Sequence, residues 1–161
     1  MKVYHGSILP VERPQTGRAM RFLDFGPGFY VTSFRDQALR WARRKAMRNG
    51  GRPVVSAYDL APDLSAWRVL GFSDDRVWLD FVCACRAGGD DWRSWDIVRG
   101  RVADDDVFKA VDAFRRGIWT RERTLEALRF APANDQIAFL SQAALDACLA
   151  FAGAETPDPA P

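Results

Sequence analysis

The spacing of hydrophobic residues changes repeatedly along the chain, and each change marks an element. Val3 to His5 reads as a short strand closed by Gly6-Ser7, and Pro10, Pro14 and Gly17 make Pro10 to Arg21 a loop. Phe29 to Thr32 is a second short strand. Ala38, Trp41, Ala42 and Ala46 then recur at helical spacing, which predicts a helix over Arg35 to Met47, capped by Ser33 or Asp36 and stopped by Asn49-Gly50-Gly51. Val54 to Leu60 alternates as a strand does, and Leu64 to Leu70 gives a weaker strand signal. Arg76 to Arg86 reads as a helix with Val77, Phe81 and Cys85 on one face. Ile97-Val98, with Val102 beyond Gly100, is strand-like.

Two helices follow, Asp104 to Arg116 with an acidic first turn that complements its dipole, and Thr120 to Leu128 with Thr120 as N-cap. Ile137 to Leu140 is a strand and Ala143 to Phe151 a closing helix. The prolines at 157, 159 and 161 make Glu155 to Pro161 a disordered tail. With no internal repeat and no splitting linker, the pattern predicts one α+β domain over residues 1–153 and a tail over 154–161.

Composition narrows this picture modestly. The 161 residues are 48% hydrophobic, enough for a real core, and 23 basic against 21 acidic residues give a net charge of only +2. That balance gives no strong pull toward nucleic acid or anionic membrane. No segment has the length of a bilayer span or the form of a signal peptide, so a cytoplasmic location is expected. One histidine and three cysteines make a Cys/His zinc site hard to assemble, and Cys83, Cys85 and Cys148 read as reduced, mostly buried small side chains. No metal is expected.

Candidate chemistry lies in three local patterns. In Tyr4-His5-Gly6-Ser7 the lone histidine ends a strand, beside a glycine that allows a ligand close to the backbone. Asp24-Phe25-Gly26-Pro27-Gly28-Phe29-Tyr30-Val31-Thr32 is a glycine-rich turn that presents Tyr30, with Asp24 as its cap. Asn134-Asp135-Gln136-Ile137 opens a late strand. Taken singly these are a structural histidine, a plain hairpin turn and polar turn residues, with Trp41 a core residue. Their order and spacing change that.

The combination resembles the ADP-ribosyltransferase superfamily, on the side of diphtheria toxin and the poly-ADP-ribose polymerases. His5-Gly6-Ser7 matches that group's first-strand motif and Gly26-Pro27-Gly28-Phe29-Tyr30 its Gly-x-Gly-[Ile/Phe]-Tyr strand. The second aromatic, eleven residues after Tyr30, is Trp41. The fuller wording looks like a bacterial family of formerly unknown function within the superfamily. It includes Trp78 to Phe81, Asp96 to Asp105 and Asn134 to Ile137, so the resemblance spans Tyr4 to about Phe151.

The resemblance implies split mixed or antiparallel sheets around an NAD cleft, flanking helices, and NAD as co-substrate. By that mapping His5 anchors a ribose, Gly6 grips the nicotinamide carboxamide, Ser7 assists on a ribose hydroxyl and Gly28 shapes the site. Tyr30 stacks on the nicotinamide and Trp41 supplies the other wall, since a flat cation suits aromatic faces. Most active relatives place a glutamate on a late strand, on the 2′-hydroxyl of the nicotinamide ribose. Here the candidates are Gln136 and Asp135, of which strand alternation lets one face the pocket. Gln136 is favoured by the Asn-x-Gln-Ile wording, although it brings no negative charge.

The resemblance further implies transfer of ADP-ribose to a protein or nucleic-acid acceptor, a toxin-like role with a small antitoxin partner, and no membrane. Arginines on the 35–48 helix are of the kind that steer an anionic acceptor, and a solvated face is the commoner reason for such a run. The alternative is a non-catalytic NAD- or ADP-ribose-binding module. A nucleic-acid or protein-interaction domain that keeps only the fold stands behind it, and metal-dependent hydrolysis has almost no support.

Overall fold

The computed structural model describes residues 1–17, 23–103, 105–129 and 134–157. In chain order these form β1 (Lys2–Ser7), β2 (Phe29–Val31), α1 (Arg35–Asn49), β3 (Val54–Leu60), β4 (Val69–Gly71), α2 (Asp75–Arg86), a 3-10 turn over Asp91–Ser94, β5 (Ile97–Gly100), α3 (Asp105–Arg115), α4 (Arg121–Arg129), β6 (Gln136–Phe139), α5 (Gln142–Cys148) and β7 (Leu149–Glu155). The chain is therefore α+β, with two sheets and five α-helices among the described residues.

The first sheet is antiparallel in the order β1-β3-β7. The second has the order β2-β6-β5-β4 and is antiparallel except for the β4-β5 pair. An isolated bridge links the two, where Tyr4 and Thr32 exchange backbone hydrogen bonds of 2.8 and 2.9 Å. All four residues of β6 are buried, with Ile137 and Phe139 entering one core cluster and Ala138 the other, on opposite faces of the sheet. One core cluster holds Phe29, Tyr58, Ile97, Phe139 and Leu145; the other gathers Trp78, Leu79, Val98, Val111 and Leu128.

Local signals explain most elements. Asp74 accepts the Arg76 N–H at 2.8 Å to start α2, Ser141 the Ala144 N–H at 3.3 Å to start α5, and Thr120 the Arg123 N–H at 3.3 Å as the expected cap of α4. The cap of α1 differs from expectation. Its N-cap position is Phe34, which has no side-chain cap. The Ser33 hydroxyl instead donates to Asp135 Oδ2 at 2.6 Å, while Asp135 Oδ1 accepts from Thr32 Oγ1 and the Ser33 N–H at 2.6 and 2.8 Å. Gln37 Nε2 adds a bond to the Asp135 carbonyl at 2.6 Å. Asp135 thus fastens the start of β6 to the β2–α1 junction.

Three further corrections concern packing. The buried face of α2 is Trp78, Leu79, Val82 and Cys85, whereas Val77 is 56% exposed. Of the strand signal over Leu64 to Leu70, only Val69 and Leu70 lie in β4. The closing helix stops at Cys148, and Leu149–Glu155 pairs as β7 along the outer edge of β3, where Phe151 meets Tyr58 edge-on at 5.9 Å. Residues 154 and 155 therefore belong to the sheet and not to a tail. Residues 18–21 of the predicted loop, Asp104 and the tail beyond 157 lie outside the described residues.

Candidate functional site

The site opens where β1 and β2 part. Two residues beyond the Tyr4–Thr32 exchange, antiparallel geometry would make Gly6 and Tyr30 the next hydrogen-bonded pair. They are not paired. His5 Nδ1 reaches the Tyr30 carbonyl at 2.6 Å, and Lys45 Nζ of α1 donates to the Gly6 carbonyl at 2.7 Å. Side chains have replaced a strand partner, and a cleft of about 1100 Å³ occupies the gap.

A carbonyl only accepts, so His5 Nδ1 carries the proton and Nε2 keeps its lone pair, 3.5 Å from Lys45 Nζ. The ring stacks on Phe29 with centroids 4.5 Å apart. Burial, and the Lys45 charge after it, lower the His5 pKa from 6.5 to about 3. His5 is a neutral hydrogen-bonding group throughout the physiological range.

This gives a prediction with a definite sign. From about pH 6.5 down to about 3, the unfolded chain binds a proton at His5 that the folded chain does not. Stability should therefore fall on acidification, with His5 contributing a slope of up to about 1.4 kcal/mol per pH unit. No other side chain is histidine, so urea midpoints at pH 7, 6 and 5 isolate the effect. His5→Gln should flatten the slope; an unchanged slope would contradict the assigned neutral state.

Tyr30 is held at both ends. Its carbonyl takes His5, and its hydroxyl donates to the Gly26 carbonyl at 2.7 Å and accepts the Phe25 N–H at 3.0 Å. Burial, reinforced by the nearby Asp24 charge, pushes the phenol well above its usual pKa. The hydroxyl is committed to the turn, which leaves the ring to meet the cleft. Gly26 makes that turn feasible with φ of 96°, and a β-carbon there would lie 2.6 Å from the Trp92 ring.

His5, Gly28, Tyr30, Trp41 and Gln136 all line the cleft, although 131 positions separate the first from the last. Trp41 is half-buried on the cleft side of α1. Gly6 and Ser7 do not line it. What comes close to Gly6 is α1: a β-carbon there would stand 2.0 Å from the Ala38 carbonyl oxygen and 2.8 Å from the Ala42 nitrogen. The Ser7 hydroxyl bonds the Leu9 carbonyl. Of the late-strand pair, Gln136 lines the cleft and Asp135 does not.

Several cleft residues were not among the sequence candidates. Asp24 is buried: its Oδ1 accepts from Arg86 Nε at 2.8 Å with Arg86 Nη2 in ion-pair contact at 2.6 Å, while the Ala103 N–H and Gln136 Nε2 donate to Oδ2 at 3.0 and 2.9 Å. It is a buried hub and not a turn cap. Around the opening stand Arg13, Arg44, Lys45, Arg48, Lys109 and Arg115, with Asp112 the remaining described carboxylate on the wall besides Asp24. A concave wall of this sign attracts a polyanion. The arginines within α1 were visible in sequence; their meeting with Arg13 and Arg115 was not.

A family model described as a protein of unknown function, DUF3990, matches residues 1–151. The chain belongs to the DUF3990 family. No curated protein and no solved structure matches it. In this DUF3990 chain burial raises the thiols of Cys83 and Cys85, the latter to about 12, so neither is an activated nucleophile. No helix among the described residues is long and apolar enough to cross a membrane.

Proposed function

We propose that this DUF3990 chain is an NAD-dependent ADP-ribosyltransferase with an ADP-ribosyltransferase-like fold, and that the cleft between β1 and β2 binds NAD. The observation that carries the reading is the meeting of His5, Tyr30, Trp41 and Gln136 in one cleft. Those four are among the residues the sequence resemblance singled out, and they come from two strands of one sheet, a strand of the other and a helix. The volume of about 1100 Å³ suits a dinucleotide, and the cationic wall suits its diphosphate.

In this reading neutral His5 accepts a ribose hydroxyl at Nε2 as Lys45 turns to the diphosphate. The nicotinamide ring lies against Tyr30, with Trp41 as the second wall. Gln136 Oε1 accepts a hydroxyl of the nicotinamide ribose and aligns the sugar. The bond from the ribose carbon to the nicotinamide nitrogen breaks with its electron pair leaving on nicotinamide. A macromolecular nucleophile then bonds to that carbon and loses its proton. Gly6 and Ser7 act through the backbone they shape, and the carboxamide is held elsewhere.

One observation favours a second reading, a module that binds NAD or ADP-ribose without turnover. Gln136 is uncharged, and Arg86 neutralises the nearby Asp24, so the cleft opposes no net negative charge to a sugar cation. Replacing a carboxylate by an amide at such a point costs roughly 10²–10³ in rate.

Nicotinamide release from NAD, with cell extract as the source of acceptors, separates the readings. Wild type should release nicotinamide, and Tyr30→Ala and Gln136→Ala should lose at least ~10²-fold. Asp135→Asn, outside the cleft, should retain turnover. Saturable NAD binding without release would select the binding module, and no binding at all would overturn both.

A further inference from the structure

Gln136 is an amide where the proposed chemistry leads one to look for an acid, and the structure ties that amide down. Nε2 donates to Asp24 Oδ2 at 2.9 Å and to the Arg101 carbonyl at 3.1 Å, so both amide hydrogens are used. Oε1 is then the end of the amide left to accept, on a side chain that lines the cleft. An unrestrained glutamine presents either end of its amide; this one does not. Asp24 is itself immobilised by the Arg86 guanidinium and the Ala103 N–H, and its side chain is 10% exposed.

We infer that Asp24 is a positioning residue: it orients the Gln136 amide so that the cleft meets a fixed acceptor for a sugar hydroxyl. This rests on the NAD reading above. Because the amide donates to two acceptors, a carboxylate at 136 is the wrong partner for Asp24. The device therefore requires glutamine there and excludes the glutamate that simple analogy would restore.

The test pairs protein variants with ligand variants. Asp24→Leu with Arg86→Met removes the acceptor and replaces the buried ion pair by apolar groups, an exchange proteins often tolerate. Asp24→Asn with Arg86→Met also removes the charges but keeps an oxygen for Gln136. NAD and an analogue deoxygenated at the nicotinamide-ribose 2′ position are titrated into each by calorimetry. Any contribution of Arg86 to the diphosphate is common to both ligands and drops out of their ratio. The leucine double variant should lose at least ~10-fold in affinity for NAD, about the worth of one aligned hydrogen bond, and almost nothing for the deoxy analogue. The asparagine double variant should stay within ~3-fold of wild type on both.

Equal losses on both ligands, or no loss on NAD, would overturn the positioning role while leaving the NAD reading intact. Absence of NAD binding by wild type would overturn the reading and this inference with it. A thermal melt supplies a readout that needs no ligand. Gln136→Glu should melt below wild type, because its carboxylate would face Asp24 Oδ2 with no hydrogen to donate. A Gln136→Glu protein as stable as wild type would overturn the proposal.

Discussion

Gly6→Ala should destabilise the protein by at least about 3 kcal/mol, which lowers the melting midpoint of a chain this size by roughly 10 °C. The reason is geometric. The added methyl would sit 2.0 Å from the Ala38 carbonyl oxygen and 2.8 Å from the Ala42 nitrogen, both backbone atoms of α1. Neither can step aside as a side chain can. The helix itself must retreat by an ångström or more, yet Ala38 and Ala42 are fully buried against the strand, and Gln37 is tied to Asp135. The damage would also reach the cleft, because Trp41, Arg44 and Lys45 ride on the same helix. A Gly6→Ala protein that melts with wild type would mean that α1 sits farther from β1 than described.

The second large effect is expected at Arg86. Arg86→Met should cost about 3–5 kcal/mol, the penalty for stranding a buried charge. Asp24 has little water to turn to, and its remaining donors, the Ala103 N–H and Gln136 Nε2, are neutral. Arg86 Nη2 also donates to the Ala103 carbonyl at 2.9 Å, and the guanidinium lies over the Phe108 ring at 4.7 Å from its centroid. Methionine keeps some of that apolar packing and supplies no charge. Adding Asp24→Asn should recover much of the loss, since the penalty belongs to the stranded carboxylate. Equal denaturation midpoints for the single and double variants would contradict the assignment.

The two positions differ in how they could be read from the sequence. Gly6 was visible as a glycine where something comes close, and the sequence suggested a ligand where the structure has a helix. A glycine reports that room is needed and not what fills it. Asp24 was visible as a residue before a turn, but its partners lie 62, 79 and 112 positions away. No local pattern announces such a hub. Arg86 carried no signal beyond ending an amphipathic helix.

The same distinction runs through the fold. Elements set by a cap, a stop or a clean period were legible, as with β3 over Val54–Leu60 and α4 after Thr120. β7 was not. Its alanine-rich sequence continues α5 as far as local preference goes, and what makes it a strand is the open edge of β3 about ninety residues earlier. The α2 face was misread because Val77, Phe81 and Cys85 and the observed Trp78, Leu79, Val82 and Cys85 both satisfy helical spacing. Which stripe turns inward is decided by the packing of the second core cluster. In the cleft, His5, Gly28, Tyr30, Trp41 and Gln136 were legible because they occur in a recognisable order, whereas Gly6 and Ser7 of the same motifs do not line it. The cationic wall that completes the cleft was not, because it gathers arginines and lysines from a loop and two helices.

Hydrogen exchange with and without saturating NAD reads out the proposed dinucleotide site in the gap between β1 and β2. Exchange should slow in three separate peptides: the β1 segment carrying His5, the turn and strand from Gly26 to Tyr30, and the stretch of α1 from Trp41 to Arg48. The β7 edge, on the far side of the first sheet, should not change. Exchange that is the same with and without NAD in all three peptides would mean that NAD does not occupy the gap.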